Sequence, residues 1–145
     1  MPLEEPALRL TREQWRAMVA HCLDGLPNEG CGLLSGPYGA GLQPTGLVNG
    51  IHPCRNADAS ARTYTVDGRD YLQTSIAASA RGDEIIGVFH SHTHTDAYPS
   101  RTDVEKATDP AWFYVICSLA AGDAVVRAYR IRGGEISESP VALDD

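Results

Sequence analysis

Residues 84–103 read EIIGVFHSHTHTDAYPSRTD, and the fold is decided in this stretch. The apolar run Ile85-Ile86-Gly87-Val88-Phe89 after Glu84 predicts a buried strand ending near His90. The polar residues 93–99 form a loop closed by Pro99, and Ser100 opens a short helix through Ala107. In an extended chain residues i and i+2 face the same side, so His90 and His92 share a face. Two imidazoles so placed chelate one metal ion with little further ordering. A catalytic zinc site commonly takes three protein ligands and keeps a fourth position for water. Asp103 is the candidate third ligand: it stands at the third position of the helix capped by Ser100, with its side chain directed back toward the helix start. Read alone, Ser100 and Asp103 are better explained as a plain capping box, and a lone His-x-His is a similarly weak sign of metal.

Working outward, Thr11 and Gln14 make a capping box that opens a first helix. Trp15, Met18, Val19, Cys22 and Leu23 recur along it as one apolar stripe, and Pro27-Asn28 end the element. Cys31 to Ser35 reads as a short strand broken by Gly36-Pro37. Leu42–Ile51 and Thr63–Val66 are the better strand candidates within residues 38–66. Asp67 caps a second helix through Tyr71, Ile76 and Ala80, and Gly82-Asp83 is a turn. Phe113–Leu119, Ala124–Ile131 and Ile136–Val141 read as strands, with Gly133-Gly134 as a hairpin turn. The expected architecture is a single α/β domain over residues 1–145, with its core at about 8–141. It consists of a curved, mainly antiparallel mixed sheet flanked by helices.

The spacing His-x-His-x7-Ser-x2-Asp, met by His90, His92, Ser100 and Asp103 with Ser91 between the histidines, resembles the signature of the JAMM (MPN+) metallopeptidases. That family places a glutamate upstream. Glu29, in Leu26-Pro27-Asn28-Glu29-Gly30-Cys31-Gly32-Leu33-Leu34, resembles its glutamate turn and the strand that follows. Asn56 resembles a recurrent asparagine before the second helix. The resemblance implies a layout related to that of cytidine deaminases and one zinc ion per chain on His90, His92 and Asp103. Glu29 would be the general base, and Ser100 would donate a hydrogen bond to the oxyanion. The run Tyr98-Pro99-Ser100-Arg101-Thr102-Asp103-Val104 is similar to small actinobacterial members of the family. Those members imply a small ubiquitin-like sulfur-carrier protein with a Gly-Gly C-terminus as partner, and release of cysteine from its terminal glycine as the reaction. Processing of other carrier tails is the alternative, and a non-catalytic scaffold the less favoured one.

Several residues compete with this assignment. His94 extends the histidine series but falls where strand gives way to loop. Cys31 reads as a small buried residue and not as a thiolate. Arg55 and Arg101 fit either a carboxylate-binding role or a solvated one. His21 and His52 read as ordinary surface or core-edge residues. A nucleobase deaminase would need His-x-Glu and Pro-Cys-x-x-Cys, and neither occurs in the chain.

Composition narrows the function classes further. The 145 residues carry a net charge of −7, which argues against nucleic acid as a partner, because phosphate binding needs a basic patch. No apolar run approaches the ~18 residues of a membrane span. The N-terminus lacks a basic stretch followed by an apolar one. Cys22, Cys31, Cys54 and Cys117 form no Cys-x-x-Cys pair and suit free thiols in a reducing, cytoplasmic setting. Oligomeric state is left open.

Overall fold

A computed structural model describes residues 6–145. In chain order the elements are β1 (Leu8–Thr11), α1 (Arg12–Asp24), β2 (Cys31–Gly36), β3 (Gly50–Cys54), α2 (Gly68–Ala80), β4 (Glu84–His92), α3 (Arg101–Lys106), β5 (Phe113–Ser118), β6 (Val125–Arg132), β7 (Glu135–Ser139) and β8 (Val141–Asp144). Six strands form one sheet in the order β3-β2-β4-β5-β6-β7. Every neighbouring pair is antiparallel except β4–β5, so the sheet is mixed and mainly antiparallel as expected.

Local chemistry sets the helix ends. Thr11 Oγ1 accepts from Gln14 N at 3.1 Å while Gln14 Oε1 accepts from Thr11 N at 2.9 Å, which completes the box at the start of α1. Asp67 caps α2 by accepting from Arg69 N and Asp70 N. Gly133 and Gly134 both have positive φ, the backbone a tight two-residue hairpin between β6 and β7 requires.

The sheet has an apolar cluster on each face. Met18, Val19 and Cys22 of α1 meet Leu34, Ile86, Phe89, Val115 and Cys117 on one. Leu33, Tyr64, Val88, Tyr114 and Ile116 make the other, with Val104 of α3 packed against them. Leu23, placed in the apolar stripe by its spacing, is instead 50% exposed at the end of α1.

β4 carries the decisive irregularity. Opposite β2, Leu34 pairs with Gly87 but Ser35 pairs with Ile85, leaving Ile86 as an extra residue. Ile86 and Phe89 therefore both join the α1 face, and Val88 joins the other. His90 and His92 continue the Val88 side of the strand.

Three expectations need correction. Leu42–Ile51 is not a strand. Residues 40–42 form a 3-10 turn, Gly46 has φ +92°, and regular pairing begins only at Gly50. A Cβ on Gly46 would meet the Ala7 carbonyl oxygen, so the incoming N-terminal segment occupies the space a straight strand would use. Thr63–Val66 contributes one isolated bridge, Asn56 to Val66, and no strand. Ile136–Val141 is two strands divided at Pro140: β7 ends the large sheet, and β8 pairs in parallel with β1, which the sequence reading missed. Among the described residues no helix is long and apolar enough to cross a membrane.

Gly87 lets β4 and β5 approach, since a Cβ there would lie 2.3 Å from the Phe113 carbonyl oxygen. Gly87→Ala should lower unfolding free energy by about 1–3 kcal/mol. Gly68→Ala, at an open helical position, should be neutral or mildly stabilising. Urea unfolding of both variants checks the contrast, and equal midpoints would remove this account of the strand contact.

Candidate metal centre

β4 lies centrally, between antiparallel β2 and parallel β5, and its last residues deliver the histidines. His90 Nε2 and His92 Nε2 are 3.2 Å apart. Asp103 Oδ2 lies 3.2 Å from the first and 2.9 Å from the second. Tetrahedral ligands about 2.0 Å from zinc stand about 3.3 Å from each other. The three atoms thus have the spacing of three corners of such a site, and two nitrogens with one carboxylate oxygen make a suitable donor set.

The surroundings orient these donors. His92 Nδ1 lies 2.7 Å from the Asp96 carbonyl, which can only accept, so Nδ1 carries the hydrogen and Nε2 is the free ligand atom of the neutral ring. His90 stacks on Tyr64 with centroids 4.2 Å apart. Asp103 Oδ2 also accepts from Ser100 N at 2.9 Å, and Ser100 Oγ accepts from Asp103 N at 3.1 Å. The capping box is therefore present, and the same carboxylate faces the histidines. The two readings of Ser100 and Asp103 describe one geometry.

Electrostatics follow from burial and proximity. Burial lowers the His90 pKa, partly offset by Asp103. Burial also opposes charge on His92, but its contacts with Asp103 and the Asp96 carbonyl outweigh this and raise it. Burial works to protonate Asp103, yet the two histidines hold its carboxyl well below the usual range.

Glu29 lines a cavity of about 550 Å³ together with Arg62, His92, His94 and Ser100. It is only 6% exposed, and its Oε1 has no hydrogen-bond partner among the described residues. Burial pushes its pKa up to about 7, with His92 opposing the rise and Asp103 adding to it. Its turn is held on both sides. Gly30 N donates to Ser91 Oγ at 2.8 Å, Ser91 N donates to the Gly30 carbonyl at 2.9 Å, and Asn56 Nδ2 donates to the Glu29 carbonyl at 3.1 Å.

The structure thus brings Glu29, His90, His92, Ser100 and Asp103 to one place. His94 stays outside the three-donor group; it is exposed, with Nδ1 2.8 Å from Thr93 Oγ1. Cys31 is buried, its thiol pushed up to about 12 by burial, which fits a structural residue. His21 ties α1 to the sheet through the Cys31 and Cys54 carbonyls. His52 bonds Ser35 Oγ at 2.7 Å. Sequence reasoning missed the positioning roles of Ser91 and Asn56, although both stood in the quoted motifs. It missed Arg62 altogether, and no local signal marks that residue.

Comparison with known proteins shows the family of the chain. The profile of a family described as prokaryotic homologs of the JAB domain matches residues 11–132. A CysO-cysteine peptidase of Mycobacterium tuberculosis is 38% identical over 126 residues, covering 86% of this chain and 83% of that protein. A desampylase of Haloferax volcanii is 32% identical over 142 residues, covering 94% and 96%. A protein of Desulfitobacterium hafniense, solved in solution, superposes with a TM-score of 0.83 at 33% identity, covering 94% of this chain and 92% of that one.

The raised pKa of Glu29 has a consequence for metal-free protein. Its folded value lies above its ordinary 4.5, so the folded state retains an extra proton between about pH 4.5 and 7. The contribution favours folding below that window and is lost as pH rises through it. Glu29→Gln cannot ionise, so it should gain stability relative to wild type from pH 5 to 7 and keep a constant advantage above. Urea unfolding at pH 5, 6, 7 and 8 checks this; a pH-independent difference would show that the carboxyl is well solvated.

Proposed function

Because the chain belongs to the family of prokaryotic homologs of the JAB domain, the JAMM/MPN group, we propose that it is a zinc-dependent peptidase acting on the tail of a small ubiquitin-like protein. The carrying observation is the convergence of His90 Nε2, His92 Nε2 and Asp103 Oδ2 beside a cavity that also holds the unpartnered carboxyl of Glu29. In this reading His90, His92 and Asp103 hold one zinc ion, which when bound polarises water and the scissile carbonyl.

The chain's own residues supply the rest. Glu29, with a pKa near 7, accepts a proton from the attacking water and returns it to the leaving amine. Water adds to the carbonyl carbon, the C–N bond breaks, and a carboxylic acid and an amine result. Ser100 Oγ already accepts from Asp103 N, so its own hydrogen is available to the oxygen of the tetrahedral intermediate. The Asp96 carbonyl keeps the His92 ring oriented.

The bond we assign is the one after the C-terminal glycine of a sulfur-carrier protein ending in Gly-Gly, with cysteine as the released group. The similarity to the CysO-cysteine peptidase supports it. Glycine suits this approach because it lets backbone come close to the site. The similarity to the desampylase favours a second reading, cleavage of other ubiquitin-like conjugates. A cytoplasmic setting belongs to the same proposal, since all four cysteines are buried free thiols.

Protein purified without added metal should hold about one zinc equivalent per chain by elemental analysis. His94→Ala should keep it and Asp103→Ala should lose most of it. The reverse pattern would overturn the ligand assignment.

A carrier–cysteine adduct should lose one cysteine mass in mass spectrometry, and a chelator should stop the reaction. Glu29→Gln should retain zinc while turnover falls by about 10²–10⁴-fold. An intact adduct beside rapid cleavage of a lysine-linked conjugate would favour the second reading.

A further inference from the structure

The cavity at the proposed catalytic site has a cation on its wall, Arg62. Among the described residues its side chain makes no ion pair or hydrogen bond, although the chain as a whole carries a net charge of −7. Arg55, Arg101 and Lys106 are engaged elsewhere. Arg55 grips Asp70 through Nε and Nη2 at 3.2 and 3.1 Å. Arg101 pairs with Glu105 at 3.4 Å and is turned to solvent. Lys106 donates to the Tyr64 carbonyl at 2.6 Å and reaches Asp58 at 3.4 Å.

The backbone that carries Arg62 is fixed beside Glu29. Glu29 N donates to the Ser60 carbonyl at 2.8 Å. Arg62 N donates to Ser60 Oγ at 3.0 Å, Thr93 Oγ1 donates to the Ala61 carbonyl at 3.2 Å, and Asn56 Nδ2 donates to the Thr63 carbonyl at 3.0 Å. Arg62 thus stands on the cavity wall in the loop that is tied to the Glu29 turn.

We propose that Arg62 determines specificity by binding the α-carboxylate of the leaving group, so that the site selects a single C-terminal amino acid over an internal or lysine-linked bond. This rests on the peptidase reading above. When the leaving amine is the α-amine of an amino acid, its carboxylate carbon lies only about 2.5 Å from that nitrogen. The carboxylate therefore enters the cavity with the amine that Glu29 protonates. Glu29 already places one carboxyl on the cavity wall, and a second carboxylate entering beside it is best matched by a cation of its own. The Arg62 guanidinium supplies that cation and can bind a carboxylate through two parallel N–H bonds. A lysine-linked conjugate brings four methylenes to the same place and gains nothing from Arg62.

The test compares two adducts of a Gly-Gly-ended carrier, one with cysteine and one with cysteinamide, for binding and for cleavage. Binding is read by calorimetry on zinc-loaded Glu29→Gln protein, and cleavage by kcat/KM of the otherwise unaltered enzyme. The acid should bind about 10-fold more tightly than the amide, the size expected for a partly exposed charged contact. Arg62→Ala should remove that preference, mainly through KM, and leave the amide adduct within about twofold. Arg62→Lys should restore part of it, since ammonium keeps the charge but not the fork. Equal binding of acid and amide, or an equal loss for both adducts in Arg62→Ala, would overturn the proposal while leaving the peptidase reading intact. Selective binding of the acid with neither adduct cleaved would support the role of Arg62 and sink the peptidase reading instead.

Discussion

Two hydrogen bonds between Gly30 and Ser91 hold the site together. One joins the Gly30 N–H to the Ser91 hydroxyl, and the other joins the Ser91 N–H to the Gly30 carbonyl. Ser91 is fully buried, so both bonds are shielded from water and costly to lose. They fasten the turn bearing Glu29 to the strand bearing His90 and His92. Ser91 faces the side of the strand opposite His90 and His92, and His92 lines the cavity. One residue thus sets where the Glu29 carboxyl stands relative to the two imidazoles. Asn56 completes the clamp and joins the 60–63 loop to the same turn.

The stability cost of the site is visible beside that clamp. A carboxyl at 6% exposure with an unpartnered oxygen is unfavourable in isolation. The surrounding backbone is over-determined: strands on both sides of β4, a capped α3, and the Asp96 carbonyl on His92. A rigid frame of this kind keeps the three donor atoms converged and the Glu29 carboxyl desolvated, and neither group would adopt that state alone.

Much of this was legible in the chain wherever the cause is local. The α1 box, the Asp67 cap, the β4 run and the paired glycines act within a few residues, and each appears where the pattern put it. The histidine pair and Asp103 were readable because strand and helix periodicities fix side-chain direction, and the likeness to the JAMM signature supplied Glu29. What was not legible depends on distant contacts. Residues 42–49 look like a strand by composition, yet the N-terminal segment crosses at Gly46. β1 and β8 are four residues each and are held by pairing with each other and, for β1, by a bridge from Arg9 to Leu47. Arg62 has no neighbour in sequence that marks it; its place comes from Ser60, Ala61 and Thr63 meeting three separate segments.

The extra residue in β4 carries a further meaning. Upstream of Ile86 and downstream of Gly87, the strand keeps two reading frames of in and out, joined out of step. The imidazoles inherit the second frame. A homologous chain one residue shorter between Glu84 and Gly87 would align well by eye and keep every motif letter. It would nevertheless turn either its core or its histidines inside out. In this strand the count of residues is as much a functional determinant as their identity.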